Sequence, residues 1–484
     1  MLTRLKVKGF KNLYDIDIRF GLFTCIAGPN GVGKSNLFDA ILFLSDLASM
    51  PIIKAAGKAR GTNGRISDFS NLFFQGGTQN TDVIEFIAEM IVPGKITDDF
   101  DREGQPRATL LEYSLTLKLL RTGDSLREPI VIEKEELRAK SASAMRKVFD
   151  EILTPEQAEK FIFGPGSRNT PFIETVDIAS DEPKIKLWGD GKQNSGRTPS
   201  FAARKTPQTI LSGVNSTTHP TVLAARREMQ SWKLLQLEPT ALRKHDNYGD
   251  DPHISSIGEH LPATLVRLKS NEDVALSLSE LLPEIVAVDV DADNTRQAYT
   301  LSVTMKDKNR YAASSLSDGT LRFLALSILS TDPEATGLLC MEEPENGIHP
   351  LLIPQMLDLV RSLSDVLDSG DGSSIALRQV IINTHSPLVV AELPDDSLLM
   401  AEPIRHKGST YIAFRCLSDT WRTRDTGNSS PPPPLGKGHL LRYLRGDLWQ
   451  YIGGQSSMHA AKAKSGQSIK ERIAIEQQPG LFSP

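Results

Sequence analysis

The stretch from Leu22 to Leu44 constrains the fold of this chain more than any other. Its first six residues are apolar and partly β-branched, which predicts a buried strand, and its last nine have the apolar spacing of a helix. Between them lies a complete G-x-x-x-x-G-K-S sequence, Gly28-Pro29-Asn30-Gly31-Val32-Gly33-Lys34-Ser35. Because it stands between a strand and a helix, we interpret it as a phosphate-binding loop and not as a chance glycine-rich turn.

The residue types in this loop suit the binding of nucleotide phosphates. Its glycines let backbone N–H groups turn toward phosphate oxygens, and the helix that follows directs its positive end at the same phosphates. Lys34 offers a charge between the β- and γ-phosphates, and the Ser35 hydroxyl can bind magnesium. We therefore predict ATP and Mg²⁺ as cofactors. The predicted nucleotide-binding residues of the loop are Gly28, Pro29, Asn30, Gly31, Gly33, Lys34, Ser35 and Asn36.

Composition limits the class of protein. A length of 484 residues predicts two or three lobes or domains. Because the formal net charge is −5, any surface that binds nucleic acid must be a local patch. No apolar run approaches the roughly 18 residues of a membrane-spanning helix, no signal-peptide pattern opens the chain, and the three cysteines have no zinc or disulfide spacing. We expect a cytoplasmic protein without a membrane partner.

Two adjacent carboxylates, Glu342 and Glu343, follow an apolar run that predicts a buried strand. In a phosphate-loop protein, an acid at this place holds the magnesium shell and the next acid polarises the attacking water. We assign Glu342 to magnesium, through water, and Glu343 to the general base. Aspartate is more usual at the first position, and glutamate is one methylene longer. The alternative, that both acids merely end a strand, is costly unless they are used or exposed.

Two further polar motifs lie on either side of the acidic strand in the sequence. Ser317 and Gly319 precede an apolar helix, so that the hydroxyl and the backbone lie at a helix N-terminus that can bind an anion. Plain helix capping by Ser317 is the alternative. His385 follows a predicted strand and could contact a γ-phosphate. A single histidine at a strand end is usually structural, so this assignment depends on the order of the motifs.

In order, the motifs are the phosphate loop, Leu316-Ser317-Asp318-Gly319-Thr320, the acidic strand, and Thr384-His385-Ser386. This order resembles that of the ABC-type ATPase heads, specifically the RecF-like and OLD-like branch of soluble ATPases. The run from Glu343 to Pro350 also resembles the acidic-strand ending of that branch. The similarity covers roughly residues 1–92 and 235–400. It implies an α/β fold, a P-loop ABC-type ATPase head with a mixed sheet, an antiparallel β subdomain and a helical lobe.

The resemblance also implies how the motifs work. In ABC heads, the serine-glycine motif of one subunit closes over the ATP of another, so a homodimer or higher oligomer with composite ATP sites is expected. Ser317, Gly319 and Arg322 would then act in trans. Asp318 stands where transporter heads usually have glycine, which favours the soluble branch. The implied catalytic residues are Lys34, Glu343 and His385, and the implied metal-site residues are Ser35, Glu342 and Gln75, the last as a magnesium-sensing glutamine.

Pattern and composition divide the chain into five expected segments. They are the N-terminal half of the head at 1–137, an insertion of unknown role at 138–218, a helical lobe at 219–295, the C-terminal half of the head at 296–425, and a proline-rich linker with a basic flexible tail at 426–484. Residues 138–162 are rich in Lys, Glu and Ala and are predicted to be helical. Only 84 of the 484 residues follow Met400, so we expect any nuclease to be a separate chain.

The motifs suggest three candidate functions for this chain. The first is an ATP-switched machine, in which ATP joins two heads and hydrolysis separates them, acting on DNA or a partner effector in antiphage defence or DNA repair. The second is a slow ATPase that holds a separate nuclease or toxin inactive. A transport ATPase is the third, and the absence of a membrane segment from the sequence disfavours it.

Three short features carry weaker hypotheses. The basic run 54–65 could contact phosphates, although a solvated surface loop is favoured. Residues 478–484 resemble the peptide that binds bacterial sliding clamps, although chance is favoured. Acidic and histidine residues at 245–253 could suggest a metal site, but their spacing matches no recognisable ligand set, which favours a polar loop.

Overall fold

A computed structural model describes residues 1–62, 66–76, 79–121, 129–141, 154–164, 171–180, 182–190, 198–368, 375–406, 409–423 and positions 434, 435, 438, 440 and 443. The described residues form an α/β protein in which one antiparallel and one mainly parallel sheet pack around two main hydrophobic cores. The predicted fold class is confirmed. The clamp-like peptide at 478–484 lies outside the described residues.

The strands are β1 Leu2–Phe10, β2 Leu13–Arg19, β3 Phe23–Ala27, β4 Gln75–Gly76, β5 Gln79–Asn80, β6 Val83–Ile91, β7 Ile96–Thr97, β8 Glu103–Gly104, β9 Leu110–Leu119, β10 Ile130–Ala139, β11 Ile173–Val176, β12 Lys184–Leu187, β13 Ser200–Ala202, β14 Lys233–Leu235, β15 Asp246–Asn247, β16 Ile285–Asp293, β17 Ala298–Met305, β18 Arg310–Ala312, β19 Gly337–Glu342, β20 Val366–Asp368, β21 Ile375–Thr384, β22 Leu398–His406 and β23 Ser409–Cys416. The helices are α1 Lys34–Leu47, α2 Ile52–Lys58, α3 Pro155–Phe161, α4 Ile210–Gly213, α5 Pro220–Gln230, α6 Pro239–Leu242, α7 Leu261–Leu268, α8 Asn271–Leu281, α9 Asp318–Thr331, α10 Ile353–Ser362 and α11 Pro387–Glu392. None of the helices in the described ranges is both long and apolar enough to cross a bilayer.

The antiparallel sheet has the strand order β13-β12-β11-β10-β9-β6-β1-β2. Alternate residues of each strand point to the same face of the sheet. In β9, the residues on the inward face are apolar and buried, as Leu111, Tyr113 and Leu115 are. Strands β11 to β13 come from the segment at 138–218, so this insertion extends the sheet. The helix predicted from residue 138 is wrong at its start, because residues 138 and 139 end β10, where buried Leu137 alternates with charged neighbours.

The parallel sheet positions the motifs. Its order is β14-β19-β21-β3-β22-β23, and every pair along this order is parallel except β22 and β23. The short strand β20 also pairs with β21, in antiparallel orientation. Because β3, β19 and β21 run in the same direction, their carboxyl ends meet at one edge of the sheet. The phosphate loop, the two acids and His385 follow these three ends directly, so the topology brings together motifs that are far apart in sequence.

Helix α1 lies between the two sheets. Its apolar side chains and Ile26 belong to the core shared with the antiparallel sheet, whereas Cys25 and Ala27 point to the opposite face. That second core contains α9 and α10. A four-stranded sheet of β15, β16, β17 and β18 adjoins α7 and α8.

Two described leucines of the segment assigned to the linker and tail are packed against the protein. The backbone N–H of Leu435 donates to the carbonyl oxygen of Cys416 at 2.7 Å. Leu435 and Leu440 are 2% and 5% exposed and belong to the second core. Leu435 and Leu440 therefore contribute to the core of the folded head.

A buried carboxylate joins the antiparallel sheet to α4. Glu135 of β10 is fully buried and accepts hydrogen bonds from the backbone N–H groups of Ile210 and Leu211, at 2.8 and 2.9 Å, and from the Tyr113 hydroxyl at 3.1 Å. Burial raises the pKa of Glu135 to about 7, although these hydrogen bonds favour the charged form and oppose the rise.

We expect this group to make the protein less stable as the pH rises from about 4.5 to about 7. In that range the folded state holds a proton that the unfolded state has lost, so ionisation penalises folding by at most about 3 kcal/mol. Thermal unfolding at several pH values should show the parent losing stability relative to Glu135→Gln as the pH rises. Glu136→Gln, on the outward face of the same strand, is the control and should run parallel to the parent. A constant gap between parent and Glu135→Gln would contradict the assignment.

Candidate active site

The phosphate loop runs from the end of β3 to the first turn of α1. Gly31 and Gly33 have positive φ angles of 79° and 100°, which glycine adopts without strain. A Cβ on Gly33 would lie 1.9 Å from Nδ2 of Asn12, so no side chain fits there. Asn12, in the turn between β1 and β2, donates to the carbonyl oxygen of Val32 at 2.9 Å and accepts from Asn36 at 2.8 Å. It holds the loop from outside, and sequence analysis missed it.

Lys34 is folded back onto its own loop. Its Nζ donates to the carbonyl oxygens of Gly28 and Pro29, at 2.7 and 2.9 Å. Burial lowers the pKa of Lys34, while the nearby carboxylates of Glu343 and Glu345 oppose that shift. A phosphate would offer this buried ammonium a charged acceptor in place of two neutral carbonyls, and charge-assisted hydrogen bonds are the stronger kind.

Glu342, at the end of β19, is surrounded by donors. Gln236 Nε2 donates to its carboxylate at 3.0 Å, and Arg60 does so through NH2 and NH1 at 3.1 and 3.4 Å. Burial raises the pKa of Glu342, but hydrogen bonds from Ser35 and Arg60 outweigh it, and the net shift is downward. Ser35 and Glu342, predicted separately for the metal, therefore lie together in the structure.

Arg60 is oriented by a second carboxylate. Its Nε donates to Asp39 of α1 at 2.6 Å, and Lys11 Nζ contacts the other oxygen of Asp39 at 2.6 Å. Arg60 is 46% exposed, as the favoured interpretation of residues 54–65 predicts, and it also bridges Asp39 and Glu342. The positive charge of Arg60 partly neutralises the acidic strand end.

Glu343 and His385 are direct partners. Nδ1 of His385 lies 2.7 Å from Oε1 of Glu343, and Asn346 donates to Oε2 at 2.8 Å. Glu343 has a φ of 46°, and its backbone N–H donates to Oδ1 of Asn383 at 3.2 Å. A non-glycine residue in this conformation is strained and must be held by its surroundings. The structure thus joins Glu343, the predicted base, to His385, the predicted γ-phosphate contact, by one hydrogen bond.

Glu345 is a buried residue of this site that sequence analysis did not single out. It is 7% exposed, and the Thr384 hydroxyl donates to one of its oxygens, while the other has no partner in the described stretches of the chain. Burial raises the pKa of Glu345, and repulsion from Glu343 adds to the rise. Thr384 also accepts from the backbone N–H of Ser386 at 2.9 Å, so Glu345 connects the loop after the acids to the end of β21.

Ser317 caps α9. Its hydroxyl accepts from the backbone N–H of Thr320 at 3.2 Å and is exposed. Arg243 holds the turn by donating to Asp318 Oδ1 at 2.6 Å and to the Leu316 carbonyl oxygen at 2.9 Å. Capping is therefore the role of Ser317 within one chain, and its role in trans stays a prediction.

Gly319 packs against the loop that follows the acids. A Cβ on Gly319 would lie 3.1 Å from the carbonyl oxygen of Gly347, tighter than ordinary side chains allow. Arg322, one turn further along α9, is half-buried, and its Nε has no partner among the described residues. Burial lowers the pKa of Arg322 despite the charge of Asp318 nearby. The start of α9 and the acidic loop therefore form one unit.

Gln75 lies in the short strand β4, and its exposed amide donates to the carbonyl oxygen of Ser70 at 3.1 Å. In the ranges that the structure describes, no hydrogen bond joins it to Ser35 or Glu342, and its role as magnesium sensor stays a prediction. Gln236, which follows β14, is the glutamine that contacts the acidic strand.

The oxygen donors present suit a magnesium ion. The Ser35 hydroxyl and the Glu342 carboxylate come from the two sides of the site, and hard oxygen ligands of this kind bind Mg²⁺ together with phosphates.

A second group with metal-like spacing is Asp246, Asp250 and His260, whose ligand atoms lie within 4.8 Å of one another. Asp246 already accepts from His260 at 3.1 Å and from the Ala263 N–H at 2.9 Å, as a polar loop would.

Comparison with known proteins gives a family and two curated relatives. Residues 23–391 match the family model described as "AAA domain, putative AbiEii toxin, Type IV TA system". The chain is 29% identical over 207 residues to the chromosome partition protein Smc of Methanocaldococcus jannaschii, which is 38% of this chain and 17% of that protein. It is 52% identical over 48 residues to an OLD nuclease of Thermus scotoductus, which is 10% of this chain and 9% of the nuclease. The chain thus spans less than a fifth of either relative.

Solved structures of Smc heads are also similar to this chain. An Smc head bound to the C-winged helix domain of ScpA aligns with 86% of this chain and 98% of its own, at 15% identity and a TM-score of 0.44. The SMC head domain from Thermotoga maritima aligns with 85% of this chain and 97% of its own, at 14% identity and a TM-score of 0.37.

Proposed function

We propose a function from the premise that this chain belongs to the AAA domain family whose model spans residues 23–391. The chain carries an ATPase domain of the Smc and OLD type. We propose that it is a cytoplasmic protein that binds ATP with Mg²⁺ between the phosphate loop and the acidic strand, hydrolyses the ATP, and uses the cycle to join and separate a pair of copies of itself. DNA or a separate effector receives the movement, in antiphage defence or DNA repair.

The observation that carries this proposal is the hydrogen bond between Glu343 and His385 beside a buried Lys34. Lys34 would exchange its carbonyl partners for phosphate oxygens and neutralise some of their charge. Glu343 would take a proton from the attacking water, while His385 orients the Glu343 carboxylate and can reach the γ-phosphate side. Ser35 and Glu342 would hold the magnesium ion, which screens the phosphate charge when bound.

The face beside this site suits a second copy of the chain. Ser317 is exposed. Two large apolar side chains are also exposed: Leu351, which follows the loop after Glu343, is 77% exposed, and Leu388, which follows His385, is 52% exposed. Exposed apolar groups next to a functional site are typical of interaction surfaces. We propose a head-to-tail dimer in which Ser317 of each copy covers the ATP of the other.

A charge at Ser317 should abolish assembly without affecting the nucleotide pocket of the single chain. In Ser317→Glu, we expect ATP-dependent dimers to disappear from light scattering, because the carboxylate would face the partner's γ-phosphate. ATP binding by the monomer should be close to that of the parent. Ser279→Glu, near the exposed C-terminal end of α8, is the matched control and should dimerise normally. Undiminished dimers of Ser317→Glu would contradict the composite site.

Mixing two inactive variants tests the trans arrangement directly. A mixed dimer of Lys34→Ala and Ser317→Glu has one site with both residues intact, because each site takes Lys34 from one copy and Ser317 from the other. We therefore expect turnover to reappear on mixing, at up to about half of the parental rate, because neither variant should dimerise alone and each mixed dimer has one intact site of two. No recovery, with mixed dimers demonstrated by light scattering, would mean that Ser317 does not act in trans.

A second function is favoured by the ion pair between Arg60 and Glu342. Arg60 contacts the carboxylate that we assign to the metal, so it would compete with magnesium and slow hydrolysis. The alternative function is therefore a slow ATPase that holds a separate nuclease or toxin inactive. The toxin–antitoxin wording of the family description suits this alternative. Turnover with and without DNA separates the two. Strong stimulation by DNA supports the machine, and slow turnover with or without DNA supports the scaffold.

A further inference from the structure

The loop after the acidic strand is attached to the end of β21 at two points. At the first, the backbone N–H of Glu343 donates to Asn383, to its carbonyl oxygen at 3.0 Å and to its Oδ1 at 3.2 Å. At the second, the Glu345 carboxylate accepts from the hydroxyl of Thr384, which is fully buried. Because Asn383 and Thr384 are the last two residues of β21, the loop is held directly beside the next residue, His385.

The Thr384 hydroxyl extends this attachment to the turn that carries His385. Its oxygen accepts from the backbone N–H of Ser386 at 2.9 Å, and its own proton is donated to Glu345. Ser386 is the N-cap of α11, so His385 lies between two residues that share one hydrogen bond. The carboxylate that receives the hydroxyl proton therefore keeps a lone pair of that hydroxyl directed at Ser386, and it fixes the backbone on both sides of His385.

This support of the backbone matters because His385 is only partly enclosed by protein. The side chain of His385 is 38% exposed and that of Glu343 is 29% exposed, although Nδ1 and Oε1 lie 2.7 Å apart. A hydrogen bond between side chains that water can reach has a small net energy, so it depends on how firmly each partner is held. For Glu343, support comes from Asn383. For His385, it comes from the turn that Thr384 holds.

The carboxylate of Glu345 is difficult to explain by stability alone. One of its oxygens is bonded to a neutral hydroxyl, and the other is buried with no partner in the part of the chain that the structure describes. A buried carboxylate with so few donors is costly, and buried polar atoms without partners are rare in native structures. An apolar side chain would fill the same space at lower cost, so stability does not account for a carboxylate at this place.

We propose that Glu345 is a positioning residue of the ATPase site, which acts through the Thr384 hydroxyl to hold His385 in hydrogen-bond contact with Glu343. The effect on turnover rests on the proposed function, in which Glu343 takes a proton from the attacking water. The effect on the turn does not, because it concerns only hydrogen bonds within the chain.

The test uses Glu345→Ala and Glu345→Gln in the full chain, with Glu280→Ala, which removes an exposed carboxylate of α8, as the matched control. The first readout is hydrogen exchange of the Ser386 amide without nucleotide, measured by mass spectrometry with fragmentation to single residues. The second is ATP turnover, with kcat and the dissociation constant of a fluorescent ATP analogue measured separately. Exchange reports the turn, whereas kcat reports the chemistry.

We expect Glu345→Ala to exchange the Ser386 amide about tenfold faster than the parent, because loss of the acceptor releases the Thr384 hydroxyl. The same variant should lower kcat about tenfold through misplacement of His385, while the dissociation constant of the analogue changes by less than about twofold. A merely structural loss would instead weaken binding and kcat together. Glu345→Gln keeps an acceptor oxygen and should keep kcat within about threefold of the parent. Glu280→Ala should match the parent in both readouts.

A double variant tests whether Glu345 acts through the histidine. In His385→Ala no imidazole remains to be oriented, so the addition of Glu345→Ala should lower kcat by less than about twofold. Thr384→Val removes the hydroxyl at nearly constant volume and should reproduce both effects of Glu345→Ala, and it provides the same test if Glu345→Ala does not fold. Thr384→Ser keeps the hydroxyl and should retain most of the parental turnover.

The results that would overturn the proposal are distinguishable from failure of the proposed function. Parental exchange of the Ser386 amide in Glu345→Ala and Thr384→Val overturns the positioning of the turn, whether or not ATP is hydrolysed. Faster exchange with parental kcat overturns the effect on turnover, as does a full additional loss of kcat on top of His385→Ala. If the parent itself does not hydrolyse ATP, the proposed function and the effect on turnover fail together, and faster exchange in Glu345→Ala still supports the positioning of the turn.

Discussion

Glu343→Gln should lower ATP turnover by about 100- to 1,000-fold and leave ATP binding intact, since general-base catalysis contributes effects of this size. Glutamine has the size of glutamate and can keep contacts with Asn346 and His385, but it cannot accept a proton from water. The trapped ATP should hold two copies together. Light scattering with ATP should therefore find a long-lived dimer, and a phosphate-release assay should find almost no product.

The control for this variant is Glu280→Gln, which removes a carboxylate from α8, away from the site. It should hydrolyse ATP and cycle between monomer and dimer as the parent does. Parental turnover by Glu343→Gln would show that Glu343 is not the base, whatever its contact with His385. His385→Ala provides a second comparison, because it frees Oε1 of Glu343 without removing the base, and it should reduce turnover less than Glu343→Gln.

Lys34→Ala should weaken ATP binding by at least about 100-fold, the usual cost of deleting one partner of a buried charge pair. The parent holds this ammonium in a buried position at the loop, where its attraction to phosphate is little screened by water. We expect the rise in melting temperature that ATP and Mg²⁺ give the parent to vanish in the variant, because a ligand stabilises only the state that binds it.

Lys58→Ala is the matched control, since it deletes an exposed lysine of α2 that pairs with Asp46. Its response to ATP should equal that of the parent. A Lys34→Ala variant that still gains full thermal stability from ATP would show that the nucleotide binds elsewhere. Unfolding without ligand should be measured for both variants, because Lys34 also bonds the carbonyl oxygens of Gly28 and Pro29.

The sequence predicts the features of the site that are local. A phosphate loop is contiguous, so its glycines, lysine and serine are recognised together, and the structure places them as expected between β3 and α1. Glu342, Glu343 and His385 were identified because each follows an apolar strand. Their meeting at one sheet edge then follows from parallel strand order, which the order of the motifs in the chain implies.

The residues that sequence analysis missed reach the site from elsewhere. Gln236 lies 106 positions from Glu342, and Arg60 lies 282 positions from it, so no spacing marks either as a partner. Gln75 was chosen from the resemblance, although the register of β14 beside β19 places Gln236 next to the acid. The burial of Leu435 and Leu440 was not predicted, since a proline-rich composition indicates a linker but not where residues beyond it pack.

In the proposed head-to-tail pair, the contact between Gly319 and Gly347 would connect the two ATP sites. Within one chain, the start of α9 rests on the loop after Glu342 and Glu343, while Ser317 at that start would face the other copy's phosphate. Loss of phosphate at one site would then affect the second site through this close contact, in which a Cβ on Gly319 would lie only 3.1 Å from the carbonyl oxygen of Gly347. The state of one site in such a pair would therefore alter the rate of turnover at the other.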